Sequence, residues 1–281
     1  MRKLIERLLL FFFGLPLIVA SVFFLPHFNY LFFHIEILVF AAFAVVEMRA
    51  LLATRLPVLP LPLSLLTALI VPGTASAAAV FGFPLHAIFV SSALACIVIL
   101  VWEFVGSFSG SFDKAAGRIA SSFTIIIYPS TLVTYLCALT VRENAGALLS
   151  VFFLMVFMCD SLAWFFGMLF GKGNRGLIPA SPNKSIAGFV GGYFGSIVAG
   201  IIGTYLFFDA FGGNMGRLVI TGICTATMAI IGDIIESILK RSTGIKDSGT
   251  LIPGRGGVLD SIDSVILAAP VFYIVTELFF G

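Results

Sequence analysis

Residues 146–170 read GALLSVFFLMVFMCDSLAWFFGMLF, twenty-five positions with a single charged side chain, Asp160. A helix rises 1.5 Å per residue, so about 20 apolar residues cross a bilayer's hydrocarbon layer. The run is therefore predicted as a transmembrane helix. Asp160 is followed by Ala163, Gly167 and Gly171 at helical spacing. A carboxylate in mid-span is costly next to lipid, on the order of 2.5 to 3.5 kcal/mol on insertion scales, so Asp160 is expected to face the interior of a bundle.

The pattern recurs outward in both directions. Apolar runs near 8–25, 31–46, 57–80, 84–105, 119–140, 146–170, 188–208, 217–239 and 258–280 are each long enough to span. The composition agrees: 60% of the residues are hydrophobic, 11% are charged and thirty-one are Phe, too little polar surface for a water-soluble protein of this length. The fold class is an all-α polytopic integral membrane protein with about nine transmembrane helices. It is expected to form one membrane-embedded domain over 1–281, with scaffold helices in 1–145 and catalytic helices and cytoplasmic loops in 146–281. Pro57, Pro60, Pro62 and Pro72 make 57–80 the expected site of a broken or re-entrant segment. The first run follows Met1-Arg2-Lys3 and stays apolar through Phe24, so it is expected to be retained as a helix rather than cleaved as a signal.

With the N-terminus inside, the connections place Arg2, Lys3, Arg7, Arg49, Arg55, Lys114, Arg118, Lys172, Arg175, Lys184, Lys240, Arg241, Lys246 and Arg255 on the cytoplasmic side, leaving Arg142 and Arg217 outside. Fourteen against two is a strong positive-inside bias. The net charge of +2 carries little information, because the basic residues lie on one side rather than in a nucleic-acid patch. The expected partners of that side are anionic headgroups and not nucleic acid. Cys96, Cys137, Cys159 and Cys224 lie inside apolar runs without metal-ligand spacing and read as buried thiols.

His27, His34 and His86 are isolated and read as packed or headgroup-level side chains, while Glu36 and Glu103 are candidates to line a cavity. Gly188, Gly192, Ser196 and Gly200 repeat every four residues beside Gly195, Ala199 and Gly203. That is a small-residue face for close helix packing.

The polar texture concentrates in Gly232–Asp263, GDIIESILKRSTGIKDSGTLIPGRGGVLDSID, which holds five of the fourteen carboxylates: Asp233, Glu236, Asp247, Asp260 and Asp263. Asp233, Glu236 and Lys240 share a helical face, and Asp260 and Asp263 are also three apart. Carboxylates packed this closely repel unless a positive group lies between them. Mg²⁺, which takes a few carboxylates with water and phosphate oxygens, is the natural cation. Lys240, Arg241, Lys246 and Arg255 supply charge for phosphates, and Gly254, Gly256 and Gly257 allow close backbone approach. The loop 171–185, with Lys172, Arg175 and Lys184, is a second phosphate candidate. The plainer reading is a set of interfacial ion pairs such as Glu236 with Lys240; the density of the cluster favours chemistry.

At these residues the chain resembles the phosphatidate cytidylyltransferase (CDP-diacylglycerol synthase) family. The signature S-x-x-K-R, four residues, K-D, then P-x-H-G-G-x-x-D-R-x-D is met by Ser237, Lys240, Arg241, Lys246, Asp247, Pro253, Gly256, Gly257, Asp260 and Asp263 in order and spacing. Asp160 to Gly171 is similar to the family's D-x-x-A-aromatic-x-x-G segment, and Ser181-Pro182-Asn183-Lys184-Ser185 with Gly188 to its S-P-[KN]-K-[ST]-x-x-G motif. Arg255 stands in place of His, Ser261 of Arg, Met168 of a basic residue and Ala187 of an acid.

The resemblance implies an enzyme of phospholipid biosynthesis that condenses CTP with phosphatidate, giving CDP-diacylglycerol and pyrophosphate. Asp233 and Asp260 would hold one or two Mg²⁺ ions. Asp263, Lys246 and Asp247 would complete the catalytic set. Asp160, Ser181, Lys184, Ser237, Lys240, Arg241, Arg255, Gly256 and Gly257 would contact substrate. The implied location is a bacterial-type cytoplasmic membrane with the site facing the cytoplasm, with homodimerisation through a small-residue face left open. An ion-coupled carrier and another CTP-using lipid enzyme, such as a polyprenol kinase, are the alternatives. A carrier does not explain a carboxylate and cation cluster in one cytoplasmic loop.

Overall fold

The computed structural model describes residues 18, 20–110, 112–252 and 256–281. Nine helices are labelled here: α1 (His27–Leu52), α2 (Leu61–Phe81), α3 (His86–Ser107), α4 (Ala115–Ile126), α5 (Thr134–Thr140), α6 (Ala145–Phe170), α7 (Ile186–Leu206), α8 (Met215–Ser242) and α9 (Leu259–Phe280). With α4 and α5 counted as one span, eight helices among the described residues are long and apolar enough to cross a membrane. They correspond to eight of the nine expected runs; the first, 8–25, lies largely outside the described residues. In lipid a backbone must satisfy its own polar groups, which is why the apolar runs become helices.

The expected break in 57–80 is corrected: α2 runs through. Pro60 is its N-cap and Pro62 lies in its first turn, where an absent N–H costs nothing. Pro72 is inside the helix and buried. One lost hydrogen bond there costs less than a run of unpaired peptide groups in hydrocarbon. The irregular span is instead Ala115–Thr140, where a π turn at Ile127–Thr131 accommodates Pro129. Leu132 N–H bonds Ile127 O at 3.1 Å, and Thr131 Oγ1 donates to Ile126 O at 2.9 Å.

The chain clusters into two compact units. The first takes the described residues up to Val141 together with Thr243–Ser261. Its α3 buries only Ser91, Ala95 and Ile99, one narrow stripe. Phe89, Val90, Leu94, Ile97, Val101 and Phe104 are exposed, as suits a helix bathed in lipid. His34 is packed, as expected, its ring nitrogens 3.2 Å from Ser76 Oγ and 3.0 Å from Thr140 Oγ1. Glu103 does not line a cavity alone but grips Arg118 through both oxygens at 2.6 and 2.7 Å.

The second unit comprises Arg142–Ser242 and Ile262–Gly281. In it the small-residue face of α7 lies against α6 and α8. A Cβ on Gly195 would fall 2.3 Å from Met158 O, and one on Gly200 would fall 2.8 Å from Leu218 O. Ser196 Oγ donates to Gly222 O at 2.8 Å. The face is thus filled within one chain, and a homodimer would need another surface. Phe152 of α6 and Phe272 of α9, both fully buried, pack with ring centroids 5.1 Å apart.

Candidate active site

In the second unit, α6, α8 and α9 each bring acid to one neighbourhood. Asp160, Asp233 and Glu236 all lie near enough to act on Asp263 through their charge. Glu236 and Asp263 are buried. Gly232 makes the approach possible, since a Cβ there would lie 2.4 Å from Asp263 O. Here α8 and α9 meet backbone to backbone. Asp160 accepts a hydrogen bond from Ser264 Oγ at 3.2 Å, and Asp263 accepts from Ser264 N–H at 2.6 Å.

Two lysines answer this negative charge. Lys184 Nζ lies 2.8 Å from Asp233 Oδ2, and Lys240 pairs with Glu236 one turn away on α8. The pairing of Glu236 with Lys240 is the ion pair the plainer sequence reading anticipated, here set inside the larger cluster. Lys184 is delivered by the loop that precedes α7. Ser185 caps that helix by accepting Gly188 N–H at 3.0 Å. Gly188 sits 2.9 Å, measured from its would-be Cβ, from Ala163 O. The Ser185 and Gly188 positions of the motif are therefore structural, and they present Lys184. Lys184 N–H also bonds Ser181 O at 3.1 Å, while Arg241 Nε donates to Ala180 O at 3.3 Å and ties the loop to the end of α8. Ser237 is buried on α8.

The remaining expected residues belong to the first unit. Asp260 Oδ2 accepts Ser248 N–H at 2.9 Å, Ser248 Oγ at 2.8 Å and Gly257 N–H at 2.7 Å. Gly256 has φ +111°, a region closed to most side chains, and a Cβ there would lie 2.6 Å from Asp260 Oδ2. Gly256 is needed for the Asp260 carboxylate to enter the turn, while Gly257 leaves room for Glu47 and Ser248. Lys246 and Asp247 are exposed. Ser261, where the family pattern has Arg, donates to Gly257 O at 3.1 Å. Arg255 lies outside the described residues. Sequence reasoning missed Ser248, Ser264 and, above all, Glu47. Glu47 accepts hydrogen bonds from Val258, Leu259 and Ser248. An acid inside the apolar run of α1 was the available signal.

Among the described residues no three His, Cys, Asp or Glu side chains converge as a complete ligand set. The polar donors of the cluster are carboxylate oxygens, with the Cys159 thiol buried beside Asp160; such oxygens suit a hard cation completed by phosphate oxygens and water.

Buried acids paired with lysines on apolar, membrane-length helices suit a membrane-embedded enzyme acting on phosphates. Comparison with known proteins narrows the class. The model of the cytidylyltransferase family matches residues 5–279, and the chain belongs to that family. It is 33% identical over 204 residues to a phosphatidate cytidylyltransferase of Staphylococcus haemolyticus, covering 65% of this chain and 76% of the relative. It is 41% identical over 128 residues to that of Haemophilus influenzae, 44% of each chain. To that of Helicobacter pylori it is 34% identical over 145 residues, 51% of this chain and 52% of the relative. The last two alignments span about half of each relative or less.

Proposed function

We propose that this cytidylyltransferase transfers the CMP part of CTP to phosphatidate, releasing pyrophosphate and forming CDP-diacylglycerol. The observation that carries the reading is the gathering of Asp160, Asp233, Glu236 and Asp263 with Lys184 and Lys240. An oxygen of the phosphatidate phosphate bonds to the α-phosphorus of CTP, and the bond from that phosphorus to the bridging oxygen of the β-phosphate breaks. A phosphate monoester is already anionic near neutral pH, so no protein nucleophile is required. Positioning and charge neutralisation carry the rate. Lys184, Lys240, Arg241 and Lys246 hold phosphate charge, Ser181 and Ser237 donate hydrogen bonds, and Gly256 and Gly257 admit close backbone approach. Asp233 and Asp260 are the proposed ligands of one or two Mg²⁺ ions. When bound, Mg²⁺ neutralises charge on the triphosphate and orients it.

Pyrophosphate release tests the reading. CTP and phosphatidate supplied together to the purified protein should yield pyrophosphate and CDP-diacylglycerol in equal amounts. CDP with no pyrophosphate would mark a kinase, and no turnover of CTP a carrier.

The loop 171–185 is proposed to face the cytoplasm, on the strength of the fourteen-to-two division of Lys and Arg. Lys172 is exposed. A Lys172→Cys variant lacking the four native cysteines should react with a membrane-impermeant maleimide only from the cytoplasmic side. Reaction from the outer side alone would invert the topology.

A further inference from the structure

One buried carboxylate has no part in the reaction as drawn. Glu47 lies in α1, in the stretch read as scaffold, and is 9% exposed. Its Oε1 accepts Val258 N–H at 3.0 Å, and its Oε2 accepts Leu259 N–H at 2.8 Å and Ser248 Oγ at 3.2 Å. Val258 and Leu259 enter and open α9, where helical N–H groups lack partners within the helix and the dipole favours negative charge. A local Ser, Thr or Asp would cap that end as well. This cap comes instead from more than two hundred residues away, and it reaches further.

Ser248 Oγ also lies 2.8 Å from Asp260 Oδ2. A hydroxyl has one proton, so Glu47 and Asp260 share a single donor. Asp260 Oδ2 also accepts the N–H groups of Ser248, whose hydroxyl reaches Glu47, and of Gly257, which lies against Glu47. Space is closed on both sides, since a Cβ on Gly249 would lie 2.3 Å from Glu47 Oε1 and one on Gly257 would lie 2.3 Å from Oε2. The turn that presents Asp260 is thus built around the Glu47 carboxylate.

We infer that Glu47 is a positioning residue for the cytidylyl transfer: by holding Val258, Leu259 and Ser248 it sets the orientation of the Asp260 carboxylate. The inference rests on the reading of Asp260 as a metal ligand. Glu47→Gln keeps the size but turns an NH₂ toward a backbone N–H, so the grip is lost on one side. Ser248→Ala removes the shared hydroxyl and leaves the cap of α9 in place.

The test uses the purified full chain and measures kcat, the Mg²⁺ concentration for half-maximal rate, Mn²⁺ binding by electron paramagnetic resonance, and the melting temperature. Partners that orient a metal ligand typically govern about 10- to 100-fold in affinity or activity. Glu47→Gln should therefore lower kcat about tenfold or more and weaken Mn²⁺ binding by a similar factor in the folded protein. Ser248→Ala should shift Mn²⁺ binding in the same direction with the melting temperature kept. Should Glu47→Gln fail to fold, Ser248→Ala decides alone. Unchanged Mn²⁺ binding in the folded variants, beside an Asp260→Asn variant that has lost it, would overturn the role of Glu47. Asp260→Asn with normal turnover and normal Mn²⁺ binding would overturn the metal reading itself.

Discussion

Asp233→Asn is expected to lower kcat by about a hundredfold or more, the scale on which removing one preorganised charge-stabilising group acts. The substitution keeps volume and removes the negative charge. In the structure Asp233 is half-buried, paired with Lys184 at 2.8 Å, and close enough to Asp263 to act on it by charge. Deleting that charge relieves repulsion among the acids but also removes the ion pair with Lys184, so the two effects oppose and the folded state should change little in stability. A protein that melts near the wild-type temperature yet fails to turn over is the expected signature. Near-normal kcat at ordinary Mg²⁺ would remove Asp233 from the metal assignment, and Mn²⁺ binding measured on the same variant would show whether the loss is one of affinity.

The second large effect is expected at Lys184. Lys184→Met keeps most of the apolar stem and deletes the ammonium, leaving Asp233 beside Asp160, Glu236 and Asp263 without its partner. A charged hydrogen bond is worth about 1.5 to 3 kcal/mol, so kcat/KM for CTP should fall about 10- to 100-fold. The loss should lie chiefly in KM, because a lysine contacting triphosphate binds ground and transition states alike. Lys184→Arg should recover part of it, a fork replacing a point charge. Wild-type KM for CTP in Lys184→Met would mean that the pair with Asp233 serves the fold alone. The loop should survive either change, since Ser185 still caps α7 and Arg241 still binds Ala180 O.

The spans were legible because a helix in lipid closes its hydrogen bonds within its own residues, and some twenty apolar side chains are enough to require one. The packing role of the α7 glycines was legible for a similar reason: a spacing of four repeats one face. The density of charge from Asp233 to Asp263 and the order of its Ser, Lys, Arg, Gly and Asp residues carried the family. Where Pro72 and Pro129 would act was not legible. Both remove an N–H, but one is absorbed in a continuous helix and the other opens a π turn. That choice depends on the neighbours against which the backbone packs.

Apart from the local pair of Glu236 with Lys240, tertiary structure decided which charges meet. Nothing local joins Asp160 to Ser264, 104 residues on, or Lys184 to Asp233. Glu36 and Glu103 were singled out as acids in apolar runs and Glu47 was not, although all three offer the same local signal. What distinguishes Glu47 is the pair of N–H groups of Val258 and Leu259, 211 and 212 residues away. Helical hydrogen bonds close over four residues, so composition and spacing along the chain specify them. A buried carboxylate is satisfied by whatever donors the packed chain brings to it, and those donors are fixed only when distant segments pack.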